Sequence, residues 1–150
     1  MKIIKSIQEL RDTLKTFRRE GKTIGLVPTM GALHRGHASL IDASSARADI
    51  TVVSVFVNPI QFGKNEDLDK YPRRLEADSE LANAHGASII FAPTAEEMYP
   101  NGEPETYVRN KPLESLYCGS YRPGHFRGVL TVVAKLFLIC LPAFAFFGEK

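Results

Sequence analysis

Apolar positions along the chain alternate between helical and extended spacing. After Ser6, the residues Ile7, Leu10, Leu14 and Phe17 recur at three- and four-residue steps, which lines one face of a helix. Ser6 with Glu9 forms a capping box at its start, and Gly21 ends it. Residues 23–27 are a short apolar run that predicts a buried strand, stopped by Pro28, and a second helix is expected from His37 to about Arg47. Residues 50–57 are apolar and β-branched almost throughout, as in a central parallel strand covered on both faces. Pro59 and Gly63 then predict a loop, which charged residues 64–74 carry over the surface. A helix over 75–84 closed by Gly86 and a strand over 88–92 stopped by Pro93 follow. Residues 94–121 carry turn signals such as Tyr99-Pro100-Asn101-Gly102 and predict a long connection, with only short ordered pieces such as 107–109. From about His125 to Cys140, the residues Val129, Val132, Val133, Leu136, Phe137 and Cys140 return to helical spacing, and Pro142 precedes a last strand over 143–147. Strands alternating with helices predict a three-layer α/β fold with a mainly parallel sheet, whose ligands lie across the C-terminal edge of the strands.

Composition narrows the class of protein. With 150 residues, 44% of them hydrophobic and 24% charged, the chain suits one compact soluble domain. Its 19 basic residues stand against 17 acidic ones, a formal charge of +2 that gives no reason to expect a nucleic-acid or membrane-surface partner. The most apolar stretch, 129–142, is interrupted by Lys135 and is shorter than the roughly 20 residues that cross a bilayer, so it predicts a buried helix. Cys118 and Cys140 imply no disulfide by their spacing, and without a signal peptide the expected setting is a reducing cytoplasm. There is no internal repeat. The chain stops at Gly148-Glu149-Lys150, directly after a predicted strand and where open sheets continue into a helix, so a fragment of a longer protein is expected.

Chemistry concentrates in residues 24–37. An apolar strand leads into Met30-Gly31-Ala32-Leu33-His34-Arg35-Gly36-His37, where the two glycines let backbone approach a ligand closely. A helix N-terminus opening into this loop would offer unpaired N–H groups to phosphate oxygens. His34 and His37, three residues apart, project from one side of a first turn and can donate to one phosphate chain as charge builds at phosphorus. A bare His-x-x-His is more often a surface or core pair; the strand and the glycines turn the reading toward a ligand site. Zinc is not expected, since the Glu of His-Glu-x-x-His and any cysteine pair are missing. Two further loops follow predicted strands: Asn58 to Gln61, with amides suited to hydroxyls or a carboxylate, and Gly148 to Lys150, with a point charge suited to phosphate. Taken alone, Asn58 could simply form a turn before Pro59, Met30 could fill a core gap, and Tyr71 could lie in a solvated loop.

Five motifs in order remove much of that ambiguity: residues 28–37, Phe56-Val57-Asn58-Pro59-Ile60-Gln61-Phe62, Tyr71-Pro72-Arg73, Arg122-Pro123-Gly124-His125-Phe126-Arg127-Gly128-Val129 and Phe147-Gly148-Glu149-Lys150. Together they resemble the pantoate-beta-alanine ligase family, the pantothenate synthetases. His34-Arg35-Gly36-His37 alone resembles only the broader HIGH-type nucleotidyltransferases, whose fold is Rossmann-like. The resemblance implies ligation of pantoate with beta-alanine through a pantoyl adenylate, with Mg-ATP consumed and AMP and pyrophosphate released. It implies that His34, His37 and Lys150 are catalytic, and that Met30, Gly31, His34, Gly36, His37, Gly148 and Lys150 hold ATP. Met30, Gln61, Asn58 and, more remotely, Tyr71 would face pantoate and the adenylate. Residues 1–150 would be the N-terminal nucleotide- and pantoate-binding domain, the C-terminal lid domain being absent, with little turnover alone. The family also implies a homodimer. One departure stands out, Cys118 where many members carry Glu. The alternatives are a stand-alone adenylyltransferase of the same superfamily and a non-catalytic binding or dimerisation module.

Overall fold

In a computed structural model, which describes residues 1–62, 74–114 and 124–149, the elements run β1 (Lys2–Ile4), α1 (Ile7–Arg19), β2 (Ile24–Thr29), α2 (Arg35–Ser45), β3 (Ile50–Val55), a 3-10 turn at Pro59–Gln61, α3 (Leu75–Ala84), β4 (Ile89–Phe91), α4 (Ala95–Met98), α5 (Lys111–Glu114), α6 (His125–Cys140) and β5 (Phe144–Ala145). The five strands form one sheet in the order β1-β4-β3-β2-β5, every pair parallel. Side chains alternate across it. Ile24, Leu26, Val52, Ile89 and Phe91 pack with Leu10 and Leu14 of α1 and with Val132, Leu136 and Ile139 of α6. On the opposite face Val27, Val53 and Ile90 pack with Ile41 of α2 and Ala82 of α3. That is the three-layer α/β arrangement expected from the sequence, with both faces of the three central strands covered and the edge strands β1 and β5 partly open.

Several boundaries follow their sequence signals. Ser6 caps α1 by accepting the Glu9 amide at 3.4 Å, though the Glu9 carboxylate turns to Lys2 at 2.8 Å instead of closing the box. Gly21 lets α1 end in paired reverse bonds, Gly21 N–H to Arg18 O and Lys22 N–H to Phe17 O, both 3.0 Å. Helices α3 and α6 occupy the residues that the helical spacing predicts.

Other expectations need correction. Pro28 lies inside β2 rather than stopping it. Along this strand Thr23 and Thr29 direct their carbonyls to β3, whereas Ile24 and Leu26 direct theirs to β5. Residue 28 therefore faces the β5 side, where the ladder has already ended, and its missing N–H breaks no rung to β3. The strand predicted over 88–92 is Ile89–Phe91, and that over 143–147 is Phe144–Ala145. Residues 107–109 are not regular structure; the Val108 N–H is instead held by Thr131 Oγ1 at 3.1 Å. The spacing of apolar residues does not predict β1, α4 or α5. Helix α6 is buried along one side only, with Leu138 68% exposed, so the expectation of a wholly buried helix is too strong. Among the described residues no helix is long and apolar enough to cross a membrane.

Candidate active site

In this strand order, β2 lies at the switch: the chain runs from it through β3 to β4 on one side and returns to place β5 on the other. Ligands of open α/β sheets bind in the crevice at such a point, outside the carboxyl ends of the strands. The Met30–His37 loop leaves β2 at that edge, Asn58–Gln61 leaves β3, and Gly148 follows β5. Tyr71, Cys118 and Lys150 lie outside the described residues.

The two histidines close the start of α2. His34 is its N-cap, so the helix begins at Arg35, two residues before the predicted start. Its Nδ1 accepts the Gly36 N–H at 3.1 Å, and the His34 N–H reaches His37 Nδ1 at 3.3 Å. The ring centroids are 4.2 Å apart. An Nδ1 that accepts a hydrogen bond carries no hydrogen, so in each ring the hydrogen sits on Nε2, the polarity that a phosphate oxygen requires.

This geometry revises the simple phosphate cradle. The Gly31 N–H is held by Thr29 Oγ1 at 3.1 Å, and the Ala32 and Leu33 N–H groups by the two carboxylate oxygens of Asp78 at 3.0 and 2.7 Å. With Gly36 and His34 bonded to the imidazoles, the amides of residues 31–34 and 36 all have partners within the protein. The loop is tight because it needs to be. Gly31 (φ 89°) and Ala32 (φ 51°) are both left-handed, and a Cβ on Gly31 would lie 3.0 Å from Asp78 Oδ2. Asp78, only 3% exposed on α3, thus holds a strained loop in shape and occupies donors that a phosphate would otherwise use.

Beside the histidine loop lies a buried amide cluster. Asn58 Nδ2 donates to Gln61 Oε1 and to Gly128 O, both at 3.1 Å, and Gln61 Nε2 donates to Met30 Sδ at 2.9 Å. The Tyr99 hydroxyl donates to Asn58 Oδ1 at 2.8 Å. Asn58 is 1% exposed and Gln61 6%. Glycine at 128 is what lets α6 approach: a Cβ there would meet Gln61 Cα at 2.6 Å and Ile60 O at 2.7 Å. His125, at the start of α6, bonds through Nδ1 to the Gln61 carbonyl at 2.9 Å. Burial raises the Tyr99 phenol above its ordinary pKa, with a smaller push from Tyr107, so it stays a donor.

Met30, Asn58 and Gln61 therefore meet through side-chain bonds, and Met30 joins them to the loop that carries Gly31, His34, Gly36 and His37. Gly148 shares their sheet edge but is exposed, with nothing within 4 Å of its Cβ direction. Sequence reasoning does not single out Asp78, Tyr99 or Gly128. Each acts on a partner 46, 41 or 70 positions away, a relation that local spacing does not encode.

A parallel sheet whose helix after β2 opens on His-x-x-His defines a HIGH-type nucleotidyltransferase fold. The family model for Pantoate-beta-alanine ligase matches residues 2–150, and the chain belongs to that family. Pantothenate synthetases of Geotalea uraniireducens and Geobacter sulfurreducens are each 57% identical over 150 residues. The chain spans about half the length of these curated relatives, 53% in both. Among solved structures, pantothenate synthetase from Thermus thermophilus superposes with a TM-score of 0.91 at 48% identity, over all of this chain and 52% of its own. The ligase from Francisella tularensis, solved with beta-gamma ATP and beta-alanine, gives 0.90 at 36% identity, over 97% of this chain and 55% of its own.

Proposed function

We propose that residues 1–150 are the nucleotide- and pantoate-binding half of an enzyme that joins pantoate to beta-alanine. The observation that carries this reading is that Met30, in the loop that carries His34 and His37, is bonded to the buried Gln61–Asn58 amide pair, so groups suited to an acid and groups suited to phosphate leave the same sheet edge. A pantoate carboxylate oxygen attacks the α-phosphorus of ATP, the bond from that phosphorus to the bridging oxygen breaks, and pyrophosphate leaves with the electron pair. The beta-alanine amine then attacks the acyl carbon, AMP departs, and the amine loses a proton. Neither step requires a protein nucleophile, since orientation and charge stabilisation suffice for an activated acyl phosphate.

In this scheme Nε2–H of His34 and His37 binds phosphate oxygens, with His34 against the charge that develops on adenylation. Gly31 and Gly36 shape the loop beneath the nucleotide, Gly148 would contribute to nucleotide binding from the end of β5, the family resemblance would add Lys150 to it, and Gln61, Asn58 and Met30 hold pantoate. The family resemblance would assign Tyr71, outside the described residues, to the beta-alanine side or to the rim. Magnesium would supply counter-charge to the triphosphate, and it fits as an ion carried in by ATP. Asp78 has both oxygens on backbone amides, and no cluster of three or more His, Cys, Asp or Glu suited to a metal occurs among the described residues. The remaining half of the family's length would supply the lid, so this chain alone is expected to bind ligands weakly and turn over little. A homodimer and a cytoplasmic location complete the proposal; the buried free thiol of Cys140 suits a reducing compartment.

The decisive experiment measures AMP formation by the chain joined to the C-terminal half of the Geobacter sulfurreducens relative. AMP release that depends on both pantoate and beta-alanine supports the reading. Nucleotidyl transfer to a phosphorylated acceptor, with no response to pantoate, would assign the chain to the stand-alone adenylyltransferases instead. Binding of ATP without any transfer would leave a binding module. Sedimentation showing a monomer across micromolar concentrations would remove the dimer.

A further inference from the structure

We propose that residues 105–109 are the surface through which two copies of this chain pair, as antiparallel strands about a two-fold axis at Tyr107. The inference rests on the homodimer proposed above and gives that dimer its contact. Glu105-Thr106-Tyr107-Val108-Arg109 is strand-prone at its centre, with aromatic and β-branched residues, yet no strand of the sheet pairs with it. Residues 106–110 run without turn or bend. Among the described residues Glu105, Thr106, Tyr107 and Arg109 make no backbone hydrogen bond, and the one at Val108 runs from its N–H to Thr131 Oγ1 of α6 at 3.1 Å. In an extended chain successive residues direct N–H and C=O to opposite edges. With Val108 turned to α6, the edge carried by Glu105, Tyr107 and Arg109 faces away from it, a row of donors and acceptors that a second strand can complete.

The segment is complementary to itself. A contact about a two-fold axis sets residue i against j and j against i. Centred on Tyr107, an antiparallel pair places Glu105 opposite Arg109 and Thr106 opposite Val108, each twice by symmetry, with the two Tyr107 residues facing each other. An exposed carboxylate then meets an exposed guanidinium at both ends, whereas a parallel in-register pair would set like charges together. Arg109 bonds Glu114 through Nη2 at 2.6 Å and keeps donors for a second carboxylate. The Tyr107 ring lies 4.1 Å from the Arg127 guanidinium, so α6 anchors the segment at Tyr107 as well as at Val108. Val108, 45% exposed, and the exposed Leu138 of α6 line one groove, so apolar surface for a partner to cover adjoins the open edge.

Sedimentation and amide hydrogen exchange of this 150-residue chain across micromolar concentrations test the contact. Association should protect the Glu105, Tyr107 and Arg109 amides as concentration rises and leave Thr106 unchanged. Glu105→Arg and Arg109→Glu each set like charges opposite at both ends and should weaken self-association about tenfold or more. Mixing the two variants restores opposite charges at both ends, because each chain then carries one sign, and should recover the unaltered affinity within about threefold. That recovery also excludes misfolding as the cause of the loss. A dimer whose affinity ignores both substitutions, or which gains nothing on mixing, overturns this surface and leaves the homodimer standing. A monomer at every concentration removes the homodimer and this inference together.

Discussion

Asp78→Asn probes the contact on which the histidine loop depends most. The carboxylate is 3% exposed and takes two backbone N–H bonds, from Ala32 at 3.0 Å and Leu33 at 2.7 Å. Hydrogen bonds to a charged group contribute about 1.5–3 kcal/mol each, and a buried donor left without a partner costs about 1–3 kcal/mol. Asparagine keeps one acceptor oxygen but sets an NH2 group against the other backbone N–H. One charged bond is lost outright, the second becomes neutral, and Ala32 loses help in holding φ at 51°. The sum is a loss of about 2–4 kcal/mol, which for a chain of this length lowers the melting temperature by about 6–12 °C. Thermal unfolding followed by circular dichroism reads the total, and hydrogen exchange at the Ala32 and Leu33 amides locates it. Both amides should exchange slowly in the unaltered chain and quickly in the variant, with weaker ATP binding because His34 follows directly. An unchanged melting temperature together with unchanged exchange at these two amides would refute the argument.

Gly128→Ala places a Cβ against the Gln61 backbone, so α6 must move off the 3-10 turn; a loss of about 1–3 kcal/mol is expected, checked by urea unfolding, and wild-type stability would contradict the close approach. His34→Ala removes the N-cap of α2 and should cost about 0.5–2 kcal/mol, a larger change than an exposed loop histidine would give, and on the proposed role it should also weaken ATP binding. Alkaline pH should destabilise the fold: burial pushes the Cys140 thiol from 9.0 up to about 12 against a weaker opposing effect of Arg18, so its contribution is complete below about pH 9 and is lost as pH rises toward 12. Tyr99 acts in the same sense, whereas burial lowers the Lys135 pKa and works against both, so the informative comparison is Cys140→Ala, which should melt less steeply with pH than the unaltered chain.

The parts of the fold legible in sequence are those where one local signal is strong and nothing distant opposes it. Helix α6 has sixteen residues of sustained helical spacing, and α3 has Gly86 in a left-handed turn (φ 88°) just beyond its end. β1 offers three residues of which only Ile4 is buried, too few to show a period, and it exists because β4 provides the partner edge. α4 did carry a signal, Thr94 with Glu97 three positions on, and Thr94 Oγ1 does accept the Glu97 N–H at 3.2 Å. The turn sequence from Tyr99 to Gly102 follows at once and leaves the helix only four residues, too few to show a period. Pro28 misled for a different reason: a proline stops a strand only where its N–H would have been used, and that depends on which neighbour the residue faces. The same division holds in the site. Met30, His34, His37, Asn58 and Gln61 stand in short motifs that can be read along the chain, whereas Asp78 and Tyr99 join them only through contacts made in the folded chain.

That division also changes what the histidine loop is. Glycines before a helix suggest an open nest of amides that waits for phosphate, but here the amides of residues 31–34 and 36 are bonded to Thr29, Asp78 and the two imidazoles. An anion arriving at this loop finds side-chain donors, and to use a backbone N–H it must first displace an imidazole, the Thr29 hydroxyl or the Asp78 carboxylate. Displacing the imidazole is the easiest, because His34 is exposed whereas Thr29 and Asp78 are buried. The loop is thus built to keep its Asp78 anchor while its histidines exchange partners, and ATP binding should leave Ala32 and Leu33 protected from exchange while it perturbs Gly36. Loss of protection at Ala32 and Leu33 on ATP binding would mean that the phosphates take the amides after all.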